Sequence, residues 1–181
     1  MKGIVFTEFL SMVENAFGLE VTDSVITSSK VKNKGAYTSV GTYDHRDILQ
    51  LVSQLSILIG TPIPSLVKSF GKHLHGVFVR KFPEFYLAKS DCFEFLKSVD
   101  SFIHVEVKKL YPDAELPTFD FEQRDSNTLI LRYESKRPFA LLAEGLICGA
   151  IAHYGQKISL ETLDTSKGQG TSCQFTLTKQ A

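Results

Sequence analysis

The chain has 181 residues, enough for one domain with a sizeable core of its own. Hydrophobic residues make up 43% of it and charged residues 22%, a composition that argues against disorder. Lys plus Arg and Asp plus Glu number 20 each, so the overall charge favours neither nucleic acid nor an anionic membrane. No stretch approaches the roughly 20 apolar residues of a membrane span, and we expect no membrane insertion. The three cysteines are few and odd in number, which argues against a disulfide framework. Their sparse use therefore predicts a reducing, cytoplasmic location.

The first two-thirds of the chain is predicted to be helical. Apolar residues recur at helical spacing over residues 6–17, 48–59, 66–78 and 92–110. Gly18 and Gly60 end the first two patterns, and Asp44 is a suitable N-cap for the second. Asp91, with a glutamate three residues later, resembles a capping box for the last helix, which Pro112 prevents from continuing.

The pattern changes after residue 117. Residues 128–137 alternate as a strand does, and residues 140–154 are apolar and long enough for a buried helix. Two further strands are predicted over 157–163 and 171–178, with a turn-rich segment between them.

These patterns predict one domain of the α+β class over residues 1–181. The helical part covers about residues 1–111. The α/β part, about 112–181, has a small antiparallel sheet with a packed helix. We find no internal repeat, low-complexity tract or linker that would divide the chain.

Three polar residues alternate along the first predicted strand. Tyr133, Ser135 and Arg137 follow one another in steps of two, about 6.6 Å apart, so on a strand they share one face. Two hydroxyl groups and a guanidinium can cradle one or two carboxylates. An exposed polar strand face has the same pattern, so these residues alone leave both interpretations open.

One histidine, His104, lies in the last predicted helix beside Ile103 and one turn from Val107. A helical histidine among apolar residues is either a hydrogen-bonded core residue or a metal ligand. Its combination with a carboxylate cradle favours the second interpretation. Haem needs an axial ligand, a hydrophobic slot and partners for its propionates.

The order and spacing of these residues resemble those of a known family. His104 is followed after twelve residues by Pro117, and after fifteen more by the segment Tyr133-Glu134-Ser135-Lys136-Arg137. This is similar to the His…Pro…Tyr-x-Ser-x-Arg pattern of the haem–nitric oxide/oxygen binding (H-NOX) family, the bacterial relatives of the haem domain of soluble guanylate cyclase. The segments 1–3 and 143–146 also resemble that family, so the resemblance spans essentially the whole chain.

The resemblance implies that haem b, iron protoporphyrin IX, is held between the two parts of the chain. It implies that His104 binds the iron and that Tyr133, Ser135 and Arg137 bind the propionates. It also implies that the ring of Pro117, a rigid wedge, presses on the porphyrin and holds it out of plane. A charged partner such as Arg137 suits a propionate, because an unpaired carboxylate is costly to bury.

The side of the haem opposite His104 determines which gas binds. The resemblance implies that oxygen-binding relatives carry a tyrosine on the helix after the Tyr-x-Ser-x-Arg strand, and the matching residue here is Leu142. The other positions expected to line this pocket are also apolar: Val5, Phe9, Leu74, Phe78 and Leu146. Each is suitable for an ordinary core as well. We therefore expect the pocket to suit nitric oxide and carbon monoxide, and to suit dioxygen poorly.

Other histidines and cysteines give weaker signals. Cys148, His153 and Cys173 are too irregularly spaced for a closed tetrahedral zinc site, so we expect no zinc. His73 and His75 lie two residues apart, a spacing at which side chains on a helix point apart.

The sequence therefore predicts a sensor and not an enzyme. The resemblance implies that nitric oxide weakens or breaks the bond between iron and His104, so that its helix shifts between two states. We recognise no output module in the sequence, and the resemblance indicates a separate partner, either a sensor histidine kinase or a cyclic-di-GMP-metabolising enzyme.

Two alternatives remain open at this point. A haem enzyme such as a peroxidase would need a distal acid or base, and the predicted pocket offers none. A haem-free module could instead bind a fatty acid or another carboxylate through Tyr133, Ser135 and Arg137.

Overall fold

The computed structural model describes residues 1–180 and has the α+β architecture expected from the sequence. Its helices are α1 (Gly3–Phe17), α2 (Leu19–Ser29), α3 (His45–Ile59), α4 (Ile63–Lys81), α5 (Glu84–Leu87), α6 (Cys92–Ser98), α7 (His104–Leu110) and α8 (Ala140–Tyr154). Its strands are β1 (Thr118–Gln123), β2 (Thr128–Glu134), β3 (Ile158–Asp164) and β4 (Ser172–Lys179). A π-helical turn, Val99–Ile103, connects α6 to α7.

Helices α1, α3 and α4 form where the apolar periodicity predicts them. The carboxylate of Asp44 caps α3 by accepting a hydrogen bond from the backbone N–H of Arg46 at 2.9 Å. Gly60 ends α3 with a φ of 68°, a left-handed conformation that glycine adopts easily. The apolar faces of these helices bury Phe6, Leu51 and the residues around them in one core.

Helix α2 is not predicted from the sequence. Its segment is mostly polar, with Val25 as its buried apolar residue, so it lacks a strong amphipathic pattern. Gly18, with a φ of 86°, makes a sharp turn between α1 and α2 where the sequence suggested the end of helical structure. The hydroxyl of Thr22 donates to the carbonyl of Gly18 at 3.0 Å and reinforces the new first turn.

The segment predicted to be helical over residues 92–110 is helical throughout, with a π-helical turn in its middle. Asp91 caps its start as expected, because its carboxylate accepts from the backbone N–H of Glu94 at 2.9 Å. The π-helical turn Val99–Ile103 then separates α6 from α7, which begins at His104. The predicted bounds of this helical segment are confirmed, but apolar spacing does not reveal the π-helical turn inside it.

The second part of the chain is one antiparallel sheet, with strands in the order β1-β2-β4-β3. Strand β1 is missed by the sequence prediction because it is short and mostly polar, and its only apolar alternation is that of Phe119 and Phe121. Strand β2 ends at Glu134, so the predicted strand to residue 137 is too long. Ser135 and Arg137 therefore lie in the segment that follows the strand.

Helix α8 lies between the sheet and α4. It is apolar on all sides and mostly buried, as a helix between two layers must be. Glycines let it approach α4 closely. A Cβ atom at Gly145 would overlap the backbone carbonyl oxygen of Lys68 on α4, and one at Gly71 would lie 2.5 Å from the carbonyl oxygen of Leu142.

None of the helices in the described residues is long and apolar enough to cross a membrane by itself. Within residues 1–180, only α3 and α4 taken together have the length and apolar composition of a membrane span, and these two helices are bent by 116° relative to each other.

Candidate cofactor site

A cavity of about 660 Å³ lies between the core of the helical part and the core under the sheet. Its walls are mostly apolar, and its size is that of a site for a large organic ligand. Helices α1, α4 and α8 contribute to its lining, and so do the α6–α7 segment, β1 and β2. The cavity therefore touches both parts of the chain.

His104 lines this cavity from the first residue of α7. Its side chain is only 16% exposed, and its Nδ1 atom lies 3.0 Å from Oδ1 of Asp100. Burial lowers the pKa of His104, although the neighbouring Asp100 partly opposes that effect. The imidazole is therefore neutral near pH 7. When its Nδ1–H donates to the carboxylate, Nε2 keeps the lone pair that a metal ion requires.

Aromatic and cyclic side chains surround His104. Its ring centroid lies 6.0 Å from that of Phe119 on β1, and Phe119 lies 5.4 Å from Tyr133 on β2. Pro117, in the segment before β1, lines the same cavity. The structure thus places the proline of the sequence motif in the same cavity as the histidine.

The three predicted cradle residues, Tyr133, Ser135 and Arg137, also line the cavity. Tyr133 is 2% exposed, and burial raises the pKa of its phenol, so the hydroxyl stays protonated and can donate a hydrogen bond. The backbone N–H of Arg137 donates to Oγ of Ser135 at 3.0 Å, which fixes the turn after β2. Tyr133 lies near the end of β2, and the turn that follows the strand keeps Ser135 and Arg137 at the same site.

Glu115 is a cavity residue that the sequence analysis missed. Its carboxylate accepts a hydrogen bond from the guanidinium of Arg137, whose side chain is only 16% exposed. Arg137 thus already holds a carboxylate in the structure, which is the chemistry expected of a propionate partner. No sequence motif identified Glu115, since it is one of several charged residues in its segment.

The opposite wall is formed mainly by apolar side chains from α1, α4 and α8. Of the six residues expected there, five line the cavity: Val5, Leu74, Phe78, Leu142 and Leu146. Phe9 does not. It is fully buried behind the wall and packs edge-to-face on Phe70, with ring centroids 5.2 Å apart.

Several polar side chains that the sequence did not indicate line the cavity as well, and the most buried of them include His75 and Tyr86. His75 is 3% exposed, and its Nε2 atom has no hydrogen-bond partner among the described residues. Burial lowers the pKa of His75 to about 4, so this imidazole is neutral at pH 7. Its ring packs on Tyr86 and Phe95 at 5.4 and 5.6 Å.

The weaker sequence signals do not combine into a second site. Among residues 1–180, no three His, Cys, Asp or Glu side chains lie together as a metal ion would require. Cys148 and Cys173 are free, and the His153 ring packs against Tyr86 instead.

The residues in the cavity fit haem. A neutral imidazole is available as an axial ligand, the apolar walls can enclose a porphyrin, and a guanidinium with two hydroxyls is available for its carboxylates. Together with the α+β architecture, this site is that of a haem-binding domain. A family model described as Haem-NO-binding matches residues 2–162. The chain belongs to this family of haem-binding gas sensors.

Solved structures agree with this assignment. The unliganded Fe(II) H-NOX protein from K. algicida is 38% identical, with a TM-score of 0.93, and the match covers 100% of this chain and 97% of that one. The H-NOX from Shewanella woodyi, solved with IWP-051 in the Fe(II)CO state, is 40% identical, with a TM-score of 0.85 and coverages of 99% and 95%. An H-NOX protein from S. oneidensis in the Fe(II)NO state is 27% identical, with a TM-score of 0.91 over the full length of both chains. No curated protein matches the chain significantly.

Proposed function

We propose that this chain binds haem b and senses nitric oxide, with carbon monoxide as a second ligand. The observation that carries the proposal is the placement of neutral His104 and the Arg137 cradle in one apolar cavity. Ferrous haem, when bound, supplies an open iron coordination position for a diatomic gas. The Fe(II)NO and Fe(II)CO states of the relatives from S. oneidensis and S. woodyi support the choice of gases.

The chain's own residues would divide the work of holding the cofactor. His104 would bind the iron through Nε2, while Tyr133, Ser135 and Arg137 would bind the propionates. Pro117 would press its ring against the porphyrin. These roles are supported by the presence of all five side chains in the cavity lining.

Gas selection would depend on the wall opposite His104. The five lining residues there from α1, α4 and α8 are apolar, and Leu142 occupies the position where the resemblance implies a tyrosine in oxygen-binding relatives. Bound dioxygen carries partial negative charge and needs a hydrogen-bond donor, whereas nitric oxide does not. The apolar wall therefore supports nitric oxide and carbon monoxide as ligands.

The absorbance spectrum of the purified protein, before and after substitution of His104, tests the proposal. We expect His104→Gly to lose haem, or to keep it only when free imidazole is supplied, because the substitution removes the iron ligand. His153→Gln is a matched control, since His153 does not line the cavity. An unchanged haem content and ferrous spectrum in His104→Gly would contradict the assignment. A colourless wild-type protein would favour the haem-free carboxylate-binding module.

We propose further that the domain acts as a non-catalytic cytoplasmic sensor with a separate signalling partner. The candidates are a sensor histidine kinase and a cyclic-di-GMP-metabolising enzyme, both implied by the family resemblance. The free state of all three cysteines is compatible with a reducing compartment. Co-purification of the haem-loaded protein with each candidate from the same genome, with and without nitric oxide, tests this part.

A further inference from the structure

The segment just before His104 has an irregular backbone. The N–H of His104 donates to the carbonyl of Val99, five residues earlier, where an α-helix would use the residue four earlier. This π-helical turn occupies Val99–Ile103 and sets how α7 leaves α6. Single π-helical turns within helices occur frequently at functional sites, because they redirect the side chains that follow.

Asp100, inside this turn, is brought against the histidine. Its Oδ1 lies 3.0 Å from Nδ1 of His104, within normal hydrogen-bond distance. Asp100 forms no other ion pair among residues 1–180, so no lysine or arginine competes for its carboxylate there. The Asp100 side chain is 42% exposed, while that of His104 is 16% exposed. The carboxylate thus faces solvent, while the imidazole beside it is largely shielded.

We propose that Asp100 is a positioning residue that makes His104 a stronger iron ligand. This inference rests on the proposed function, because it assumes that His104 binds haem iron. The carboxylate fixes the Nδ1–H tautomer and the ring orientation, and its negative charge increases electron donation from Nε2. A neutral acceptor such as a carbonyl would do this more weakly, since charge-assisted hydrogen bonds are roughly twice as strong as neutral ones.

This arrangement bears directly on sensing. If gas binding is signalled by loosening of the bond to His104, then a group that strengthens that bond sets how readily the signal starts. The π-helical turn places Asp100 on the same short segment as the ligand, so the hydrogen bond and the iron bond would move together when α7 shifts. Asp100 would thereby adjust the sensor without touching either the gas or the haem.

Two properties of the ferrous haem protein test the proposal: the iron–histidine stretching frequency, measured by resonance Raman spectroscopy, and the Fe(III)/Fe(II) midpoint potential. Asp100→Leu removes both the acceptor and its charge, while Asp100→Asn removes the charge and keeps an oxygen acceptor. We expect the stretching frequency to fall and the midpoint potential to rise in both variants, with the larger shift in Asp100→Leu. A merely structural role for Asp100 would move neither property.

Glu106→Gln is the matched control. Glu106 lies on α7, pairs with Lys109 at 2.6 Å and forms no hydrogen bond or ion pair with His104 among residues 1–180. Its variant should therefore match the wild type in both properties. Unchanged frequency and potential in the two Asp100 variants would overturn this inference and leave haem binding intact. Failure of the proposed function itself is distinguishable, because the wild type would then lack haem or His104→Gly would retain an unaltered spectrum.

Discussion

Arg137 enters the cavity from the turn after β2, where Glu115 holds its guanidinium. The Glu115 side chain is 66% exposed, so it can turn into solvent and release Arg137 to another carboxylate. The ion pair itself therefore contributes little to stability, because exposed partners are screened by water. At the level of the residue, Arg137 is a cation held near the cavity wall and ready to bind an anion.

We predict that Arg137→Ala loses haem faster than Tyr133→Phe. Arg137 is the charged member of the cradle, and its charge-assisted hydrogen bonds are roughly twice as strong as the neutral bond that a phenol provides. Transfer of haem to apomyoglobin, followed by absorbance, measures the loss rate. Arg124→Ala is a suitable control, because Arg124 is exposed and pairs with Glu122 away from the cavity. Equal loss rates for Arg137→Ala and Tyr133→Phe would argue against a propionate role for Arg137.

A second prediction at this scale concerns His75. Burial lowers its pKa to about 4 in the folded protein, against an unfolded value near 6.5. Unfolding therefore takes up a proton between these values, so the stabilisation is fully present above about pH 6.5 and is lost as the pH falls towards 4. The loss is at most about 3 kcal/mol.

Urea unfolding at pH 7 and at pH 5, with wild type and His75→Leu compared in parallel, measures this effect. His75→Leu should lose less free energy of unfolding between the two pH values than the wild type does. The same loss in both proteins would mean that another group causes the acid sensitivity.

At the level of the element, the most extensive contact between two helices is the crossing of α4 and α8. Gly145 has no room for a side chain there, because a Cβ atom would overlap the backbone carbonyl oxygen of Lys68. We predict that Gly145→Ala lowers the free energy of unfolding by about 1–3 kcal/mol, the usual cost of overpacking. Chemical denaturation of the two proteins measures the difference.

Gly76→Ala is the matched control on the same α4 helix. A Cβ atom at Gly76 would meet only the flexible end of Arg80, at 3.6 Å. Because alanine favours a helix over glycine by roughly 0.5–1 kcal/mol, this variant should be as stable as the wild type or more stable. A stability of Gly145→Ala equal to that of the wild type would show that the two helices separate easily.

The elements with strong apolar periodicity were predictable from the sequence, and the others were not. Helices α1, α3, α4 and α8 each bury a continuous apolar surface, so the sequence indicates them directly. Strand β1 has only two alternating apolar residues, Phe119 and Phe121, and α2 is short and mostly polar, so the apolar pattern of each is weak. The π-helical turn depends on backbone hydrogen bonding, which residue spacing does not encode.

The same distinction applies to the site. The five residues of the sequence motif all line one cavity in the structure: His104, Pro117, Tyr133, Ser135 and Arg137. The sequence did not indicate three further residues: Asp100, Glu115 and His75. Tertiary structure places each of them at the cavity or against His104. The π-helical turn brings Asp100 to His104, and the turn after β2 brings Arg137 to Glu115. The packing of α4 on α8 buries His75.

At the level of the whole molecule, the cavity lies between two cores that α4 and α8 join, because both helices contribute residues to each core. His104 comes from the α6–α7 segment beside the sheet, whereas the opposite wall belongs to α1, α4 and α8. Lys2 joins the two sides at the cavity mouth through an ion pair with Asp113 at 3.1 Å, and the Thr42 hydroxyl donates to the same carboxylate at 2.8 Å. A ligand that changes the hold of His104 would therefore act between the α6–α7 segment and the opposite wall of the cavity, which suits a two-state sensor.

The last prediction concerns which gas this arrangement selects. We expect the ferrous protein to form stable complexes with nitric oxide and carbon monoxide, and no stable complex with dioxygen in air. The wall formed by Val5, Leu74, Phe78, Leu142 and Leu146 offers bound dioxygen no hydrogen-bond donor. A neutral hydrogen bond contributes about 0.5–1.5 kcal/mol, and more in a dry pocket. Since about 1.36 kcal/mol corresponds to a tenfold change in an equilibrium, its absence lowers dioxygen affinity appreciably.

Absorbance of the dithionite-free ferrous protein during an air titration measures this selection. Leu142→Tyr should gain dioxygen affinity if the new hydroxyl reaches the ligand, whereas Leu142→Phe adds similar bulk without a donor and should gain none. Nitric oxide binding should survive in both variants, because it depends much less on that hydrogen bond. A persistent oxy spectrum in the unmutated protein would contradict the prediction and would indicate that a polar lining residue, with His75 and Tyr86 as the candidates, reaches the bound gas.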